Sequence, residues 1–123
     1  MIKALFFIFI GGGLGSVSRF AIGKTFNNIL PYGTFIVNLT GSLLIGLVMG
    51  MMIKDSYNHN NFNLLLVSGF CGGFTTFSAF AFENYTFLKN GELVHFATYI
   101  LLTLSLSIAA VFLGIFLSKF IPS

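Results

Sequence analysis

The sequence predicts an all-α integral membrane protein with four transmembrane helices, and two features of its 123 residues carry that prediction. Charged residues make up only 7% of the chain and hydrophobic residues 56%, with a mean hydropathy of +0.96. Because a soluble domain carries roughly 25% charged residues, this chain lacks the polar surface of a water-facing fold. At roughly 20 residues per span, its length allows about four helices. A single transmembrane domain over residues 1–123 is therefore expected.

The few charged residues mark the ends of the helices. Charge-free runs extend over 4–18, 25–53, 56–82 and 93–118. From these runs we predict helices at 3–24, 32–54, 62–88 and 93–120. Pro31 suits the opening of the second helix, residues 55–61 form the most polar loop, and a tight turn over 89–92 joins the last two helices.

Glycine pairs at four-residue spacing recur inside three of the predicted helices. The pairs are Gly11 and Gly15, Gly46 and Gly50, and Gly69 and Gly73. In a membrane such pairs allow helix backbones to approach closely. The first pair lies within an apolar span and not in a strand-to-helix turn, so it does not predict a nucleotide-binding loop.

The scarcity of titratable side chains excludes several classes of protein. The single cysteine, Cys71, allows neither an intrachain disulfide nor a cysteine-based metal cage. No nucleophile–base pair is evident, so we do not expect an enzyme, and nine dispersed charges do not form a nucleic-acid surface. A proton-coupled exporter would place a carboxylate within a span, whereas the predicted first helix has none and Glu83 lies near the end of the third.

The basic residues divide evenly between the two sides of the membrane. With four spans, one side carries Lys3, Lys54 and Lys119. The other side carries Arg19, Lys24 and Lys89. Because Lys and Arg bias sets orientation, an even split predicts insertion in both orientations and an antiparallel dimer. The alternative is a single orientation set by features other than charge.

Neutral polar residues are embedded in the second and fourth helices. Thr34 and Asn38 are four residues apart and share a face. Tyr99, Thr103 and Ser107 repeat at the same spacing and form a hydroxyl track. A single Ser or Thr usually bonds to the carbonyl of its own preceding turn, but three in register favour a polar path. Because an amide in hydrocarbon requires partners, Asn38 either joins helices or lines a conduit.

The segment 69–80 (GFCGGFTTFSAF) is the densest feature of the chain. Its glycines and threonines are poor helix formers, so we predict that the third helix is broken in mid-membrane. Freed carbonyls at such a break can coordinate a small cation. Phe77 and Phe80 share a face if the helix resumes; they serve either core packing or anion contact through their electropositive ring edges.

Three blocks of this chain resemble the Fluc/CrcB family of fluoride channels, and the resemblance extends along essentially its whole length. They are the block 11–20 (GGGLGSVSRF), which ends near an arginine, the block 33–42 (GTFIVNLTGS) with its asparagine, and the segment 69–80. Each block is long, and their order and spacing also match, so the resemblance is highly specific.

The resemblance implies a passive fluoride channel in the plasma (inner) membrane of a prokaryote, built as a dual-topology antiparallel homodimer with two pores. It implies a structural sodium ion held by the backbone carbonyls of Gly72 and Thr75 from both subunits. Phe77 and Phe80 correspond to the pore phenylalanines of the family. Fluoride, membrane lipid and a second copy of the chain are the expected partners, with no nucleic acid and no nucleotide.

Further residues take expected roles from the same resemblance. The family's pore asparagine and polar track fall on Asn38, Tyr99, Thr103 and Ser107. Thr34 corresponds to a pore hydroxyl, Ser78 to a neighbouring hydroxyl and Arg19 to a vestibule cation. Glu83 occupies the family's acidic position with no role assigned. Ala79 replaces a threonine common in the family, so a hydroxyl is missing there.

Two other functions fit four short spans. A small multidrug-resistance-type exporter shares the size and the possible dual topology, but its membrane-embedded acid in the first helix is absent. A purely structural membrane protein would use every polar residue for helix packing. Passive fluoride transport would distinguish the channel from both.

Overall fold

The computed structural model describes residues 1–54 and 61–122, and these are helical apart from short turns. The helices are α1 (Ile2–Phe26), α2 (Tyr32–Lys54), α3 (Asn61–Leu64), a π-helical stretch (Leu65–Cys71), α4 (Gly72–Phe74), α5 (Phe77–Lys89) and α6 (Leu93–Ser118). The predicted third helix corresponds to α3 through α5, and the predicted fourth helix to α6.

Four segments are long and apolar enough to cross a membrane, which confirms the prediction of an all-α fold with four such helices. They are Ile2–Phe26, Tyr32–Lys54, Asn61–Lys89 and Leu93–Ser118. Their ends lie within two residues of the predicted ends. Of the loop predicted at 55–61, residues 55–60 lie outside the described residues, and Asn61 is the first residue of α3.

The turn between α5 and α6 depends on a glycine. Gly91 has a φ of 72°, in the left-handed region that glycine adopts without strain. This conformation lets the Glu92 N–H donate to the Phe87 carbonyl at 2.8 Å, and α6 then starts at Leu93. The predicted turn over 89–92 is thus closed by its glycine.

The last helix ends at Ser118, two residues before the predicted end at 120. The next backbone bonds run to the third preceding residue, as in Lys119 N–H to Phe116 O at 3.2 Å. The ammonium of Lys54 donates to the carbonyl oxygens of Ser118, at 3.2 Å, and Ile121. A cation at a helix C-terminus satisfies carbonyls that have no partner within the helix, so Lys54 helps to fix this end.

The glycine pairs make the two closest helix contacts. A Cβ at Gly11 would collide with the carbonyl oxygen of Leu65, and one at Gly15 with the carbonyl oxygen of Phe70. Gly46, on α2, similarly meets α6 at Gly114. The glycine pairs, predicted to allow close approach of helices, thus lie where α1 packs on the π-helical stretch and α2 on α6.

The apolar core is small and the outer surface strongly apolar. Phe80, Phe87 and Tyr99 form the buried cluster, at the contact between α5 and α6. In contrast, large apolar side chains along α1 and α6 are exposed, such as Phe9 at 76% and Phe112 at 71%. This inverted distribution fits a chain whose surroundings are hydrocarbon.

Substituting Gly15 by alanine should destabilise the fold, whereas the same change at Gly13 should not. Alanine at Gly15 would place its Cβ 2.8 Å from the backbone nitrogen of Phe74, whereas nothing lies within 4 Å at Gly13. Overpacking of this kind costs about 1–3 kcal/mol. Protein in detergent is heated, and the size-exclusion peak of the monodisperse protein is measured against temperature. The temperature at which half of this peak is lost should fall only for Gly15→Ala. An equal midpoint for the two variants would contradict the close helix approach.

Candidate functional site

The chain leaves helical geometry at Thr75 and Thr76. α4 ends at Phe74 and α5 begins at Phe77, and the two residues between them are extended, with φ/ψ of −81°/153° and −149°/119°. In a continuous helix the Thr76 N–H would donate to the Gly72 carbonyl. Here it donates to the Asn38 Oδ1 at 2.8 Å. The interruption therefore releases a backbone carbonyl and takes a partner from another helix.

Asn38 binds the interruption through both groups of its amide. Besides accepting from the Thr76 N–H, it donates from Nδ2 to the Thr76 carbonyl at 3.1 Å. Of the two sequence-based interpretations of Asn38, the joining of helices is therefore realised. Asn38 also lines a cavity beside the interruption, so its position is compatible with the second interpretation, in which Asn38 lines a conduit.

Three further contacts stabilise the two helix ends at the interruption. Thr76 is the N-cap of α5, and its hydroxyl accepts from the Ala79 N–H at 3.1 Å; such caps contribute about 1 kcal/mol. The Ser78 hydroxyl lies 3.2 Å from that of Thr76. On the other side, Arg19 donates from Nε to the Gly73 carbonyl at 3.0 Å. Arg19, expected at a vestibule, thus lies within α1 and contacts α4.

A cavity of about 370 Å³ opens beside the interruption. Of the predicted site residues, its lining includes Asn38, Gly72, Thr75, Phe77, Phe80, Thr103 and Ser107. Four predicted residues lie outside the lining: Arg19, Thr34, Ser78 and Tyr99. The sequence interpretation missed other lining residues, among them Gly41, Ser42, Cys71 and Thr76. The two from α2, Gly41 and Ser42, lie three and four residues after Asn38 and so share its helix face.

The two phenylalanines at the cavity differ sharply in exposure. Phe80 is only 6% exposed and packs against Tyr99, with ring centroids 5.0 Å apart. Phe77 is 76% exposed, and its ring centroid lies 5.8 Å from that of Phe80 at an interplanar angle of 51°. The two rings are tilted and not stacked, and both residues line the cavity.

Two hydroxyls on the cavity wall have no hydrogen-bond partner among the described residues. They belong to Thr103, which is 5% exposed, and to Ser107, and both oxygens are buried. Ser and Thr in helices usually donate to the carbonyl four residues before, as Ser105 does to Leu101 at 2.5 Å. Thr103 and Ser107 depart from that pattern at the positions that face the cavity.

Glu83 is held by two hydroxyls. Thr34 donates to its Oε2 at 2.6 Å, and Tyr99 donates to its Oε1 at 2.7 Å. Within the described residues, Glu83 has no ion-pair partner. Thr34 in turn contacts Asn27 in the turn after α1. The sequence placed Thr34 and Tyr99 among the candidates, but these contacts span up to 49 residues and no local pattern predicts them.

The described residues contain no group of three or more His, Cys, Asp or Glu side chains that could hold a metal ion. The carbonyls of Gly72 and Thr75 are a different kind of donor. Their helical partners, the N–H groups of Thr76 and Ala79, donate to Asn38 and to the Thr76 hydroxyl. Oxygen atoms released in this way suit a hard cation.

Comparison with known proteins places this fold in a family. A family model described as "CrcB-like protein, Camphor Resistance (CrcB)" matches residues 6–115. A protein of Gloeothece citriformis named "Fluoride-specific ion channel FluC" is 47% identical over 116 residues, covering 91% of this chain and 94% of the relative. Proteins of the same name from Phocaeicola vulgatus and Azobacteroides pseudotrichonymphae are 42% and 39% identical, each covering at least 95% of this chain and 99% of the relative.

Replacing Asn38 by leucine should destabilise the protein, because it leaves the N–H and the carbonyl of Thr76 without partners. Each buried group left unsatisfied costs about 1–3 kcal/mol. The matched control is Thr40→Val on the same helix, which removes only a bond from Thr40 to the Ile36 carbonyl at 2.7 Å. The midpoint temperature in detergent should fall markedly for Asn38→Leu and little for the control. A midpoint unchanged by Asn38→Leu would show that Asn38 does not hold the interruption.

Proposed function

Since the chain belongs to the CrcB family, we propose that it is a fluoride-selective passive channel, which lets fluoride leave the cytoplasm across the plasma membrane of a prokaryote. Relatives that match nearly the whole chain are named fluoride-specific ion channels. One structural observation carries the proposal to specific residues: Thr103 and Ser107 line the cavity, and their buried hydroxyl oxygens have no hydrogen-bond partner among the described residues. Hydroxyls in this state are available to donate to an anion.

The composition of the cavity fits a small, strongly hydrated anion. A pore must replace the water shell of such an ion without binding it too tightly to release it. Hydroxyls, an amide and the electropositive ring edges of Phe77 and Phe80 supply numerous weak contacts. The residues that line the cavity include no Lys or Arg, whose fixed charge would retain the anion. Selectivity would then come from many neutral donors.

The helix interruption adds a positive potential. α5 begins at Phe77, which lines the cavity together with the N-cap residue Thr76. A helix N-terminus carries a partial positive charge and N–H groups without helical partners, both of which favour an anion. This arrangement supplies positive potential within the span without placing a formal charge there.

The hydroxyl track continues from the cavity toward Glu83. Tyr99 lies one helical turn before Thr103, and its hydroxyl donates to Glu83, as does that of Thr34. We assign Tyr99, Thr34 and Ser78 to the approaches of the pore, since they lie outside the cavity lining itself. Arg19 serves the pore by holding the Gly73 carbonyl.

The residues that line the cavity also support passive transport. Among the described residues, none that lines the cavity carries a carboxylate that would couple transport to a proton or cation. Fluoride that enters as the neutral acid ionises in the cytoplasm, and a channel lets it leave down its electrochemical gradient. The multidrug-resistance-type exporter is not favoured, because α1 contains no acidic residue.

Two copies in antiparallel orientation would complete two pores. The exposure of Phe77 at the edge of the cavity supports a second copy that closes it. The even division of Lys and Arg between the two sides supports insertion in both orientations. A two-fold axis between the copies would generate two equivalent cavities.

A sodium ion at the dimer centre is part of the same proposal. The carbonyls of Gly72 and Thr75 have lost their helical partners, and the Gly72 residue is exposed on the surface of the single chain. Two such oxygens from each of two copies would surround a cation on the two-fold axis. The ion would hold the two interruptions together and take no part in conduction.

Purified protein reconstituted into liposomes loaded with potassium fluoride should release fluoride rapidly once a potassium ionophore is added. Liposomes loaded with potassium chloride should release chloride little faster than protein-free liposomes. The measurement is external anion concentration against time with ion-selective electrodes. Absence of fluoride release, or equal release of both anions, would contradict the proposed function.

Antiparallel assembly predicts that each loop is found on both sides of the membrane. In a Cys71→Ala background, Asn90→Cys places one thiol in the turn between α5 and α6. A membrane-impermeant maleimide applied to intact cells should label about half of this protein, and the remainder only after permeabilisation. Labelling of all or none of the protein in intact cells would contradict dual topology.

A further inference from the structure

Asn27 connects the end of α1 to the start of α2 through its side chain. It is the C-cap residue of α1, and its backbone N–H donates to the Gly23 carbonyl at 2.8 Å. Across the turn, its Oδ1 accepts from the Thr34 N–H at 3.2 Å, and its Nδ2 donates to the Thr34 hydroxyl at 3.2 Å. Gly33 permits this approach, since a Cβ there would lie 3.0 Å from the Asn27 Oδ1.

The chemistry of these groups fixes the direction of each bond. The Thr34 N–H can only donate, so the amide oxygen of Asn27 must face it and the amide nitrogen must face the hydroxyl. That nitrogen can only donate, so the Thr34 hydroxyl accepts from it. The single proton of the hydroxyl is then directed to the Oε2 of Glu83, at 2.6 Å. Asn27 thereby determines that Thr34 is a donor to the carboxylate.

Glu83 depends on that donor. Its other oxygen accepts from Tyr99, and no cation among the described residues pairs with it. Glu83 also lines a cavity of about 190 Å³ at the α1–α2 turn, together with Asn27, Asn28, Phe82 and Thr86. A carboxylate at such a place repels an anion unless its charge is engaged by donors.

We propose that Asn27 is a positioning residue that keeps Glu83 bonded at both oxygens, acting through the hydroxyl of Thr34, and so sustains fluoride throughput. The effect on fluoride throughput rests on the proposed function, whereas the link from Asn27 through Thr34 to Glu83 does not. Loss of the Asn27 amide nitrogen lets the Thr34 hydroxyl turn away from Glu83. The carboxylate then has one donor fewer and is free to move toward the anion path.

Asn27→Asp tests this link, with Asn28→Asp as the matched control. Aspartate at 27 keeps the oxygen but replaces the donating nitrogen with an acceptor, which attracts the proton of Thr34 away from Glu83. Asn28 lines the same cavity and donates to the Thr25 carbonyl at 3.3 Å, so Asn28→Asp adds the same charge to the lining of that cavity without an observed contact to Thr34. The charge effect and the positioning effect are thus separated.

The first readout is independent of transport. The chain contains two glutamates, Glu83 and Glu92, so protein labelled with carbon-13 at the glutamate carboxyl gives two resonances, which Glu83→Gln assigns. Asn27→Asp should shift the Glu83 resonance, and Asn28→Asp should leave it in place. An unshifted Glu83 resonance in Asn27→Asp would overturn the proposal. If that variant does not purify as a monodisperse protein, Asn27→Ala and Asn28→Ala are compared by the same criterion.

The second readout is fluoride efflux from liposomes. Asn27→Asp should slow efflux about tenfold, the effect of losing one hydrogen bond to a charged group, and Asn28→Asp should slow it much less. In a Thr34→Val background the two variants should become equal, because the connecting hydroxyl is gone. Equal slowing by both variants in the unmodified background would overturn the proposal in favour of simple charge repulsion. If the unmodified protein releases no fluoride, the proposed function fails, while the Glu83 resonance still decides the link.

Discussion

The fold depends on how the interruption at Thr75 and Thr76 satisfies its backbone. Within a bilayer no water is available to bond with a freed N–H or carbonyl, so every such group requires a partner from the protein. Asn38 meets the N–H and the carbonyl of Thr76, and Arg19 meets the carbonyl of Gly73. These contacts tie α1 to Gly73, just before the interruption, and α2 to Thr76 within it. These contacts supply partners for part of the backbone that the interruption frees, and the carbonyls of Gly72 and Thr75 lose their helical partners.

The chemistry of the cavity follows from that interruption. Breaking the helix places the start of α5 at the cavity and releases the carbonyls of Gly72 and Thr75 from their helical partners. In the proposed channel, the same interruption would supply a region that favours an anion and a pair of oxygens that favour a cation. Thr103 and Ser107, on α6, line the same cavity, and in the proposed channel their hydroxyls would contact the anion. Because the described lining residues carry no formal charge, an ion in this cavity would be stabilised by neutral hydroxyl and backbone groups.

The sequence predicted the features that depend on local pattern. The spacing of charges located four spans, and the glycine pairs marked positions where helices approach closely, although the partners of each pair are evident only from the structure. It could not decide between the two interpretations of Asn38, since that choice depends on a backbone 38 residues away. The link from Asn27 through Thr34 to Glu83 was missed for the same reason. Lys54 was counted as an orientation signal, whereas the structure also uses it to cap α6.

The most direct test of the claim that fluoride passes this cavity is the fluoride efflux rate of Phe80→Ile in liposomes. Phe80 is buried on the cavity wall, and isoleucine keeps an apolar side chain there but removes the ring edge. Efflux should fall about tenfold or more, as expected for the loss of an interaction of about 1.4 kcal/mol, while the size-exclusion profile of the protein stays unchanged. Phe112→Ile, at an exposed position of α6 outside the lining, should conduct normally. Normal efflux through a folded Phe80→Ile protein would contradict a fluoride path through this cavity.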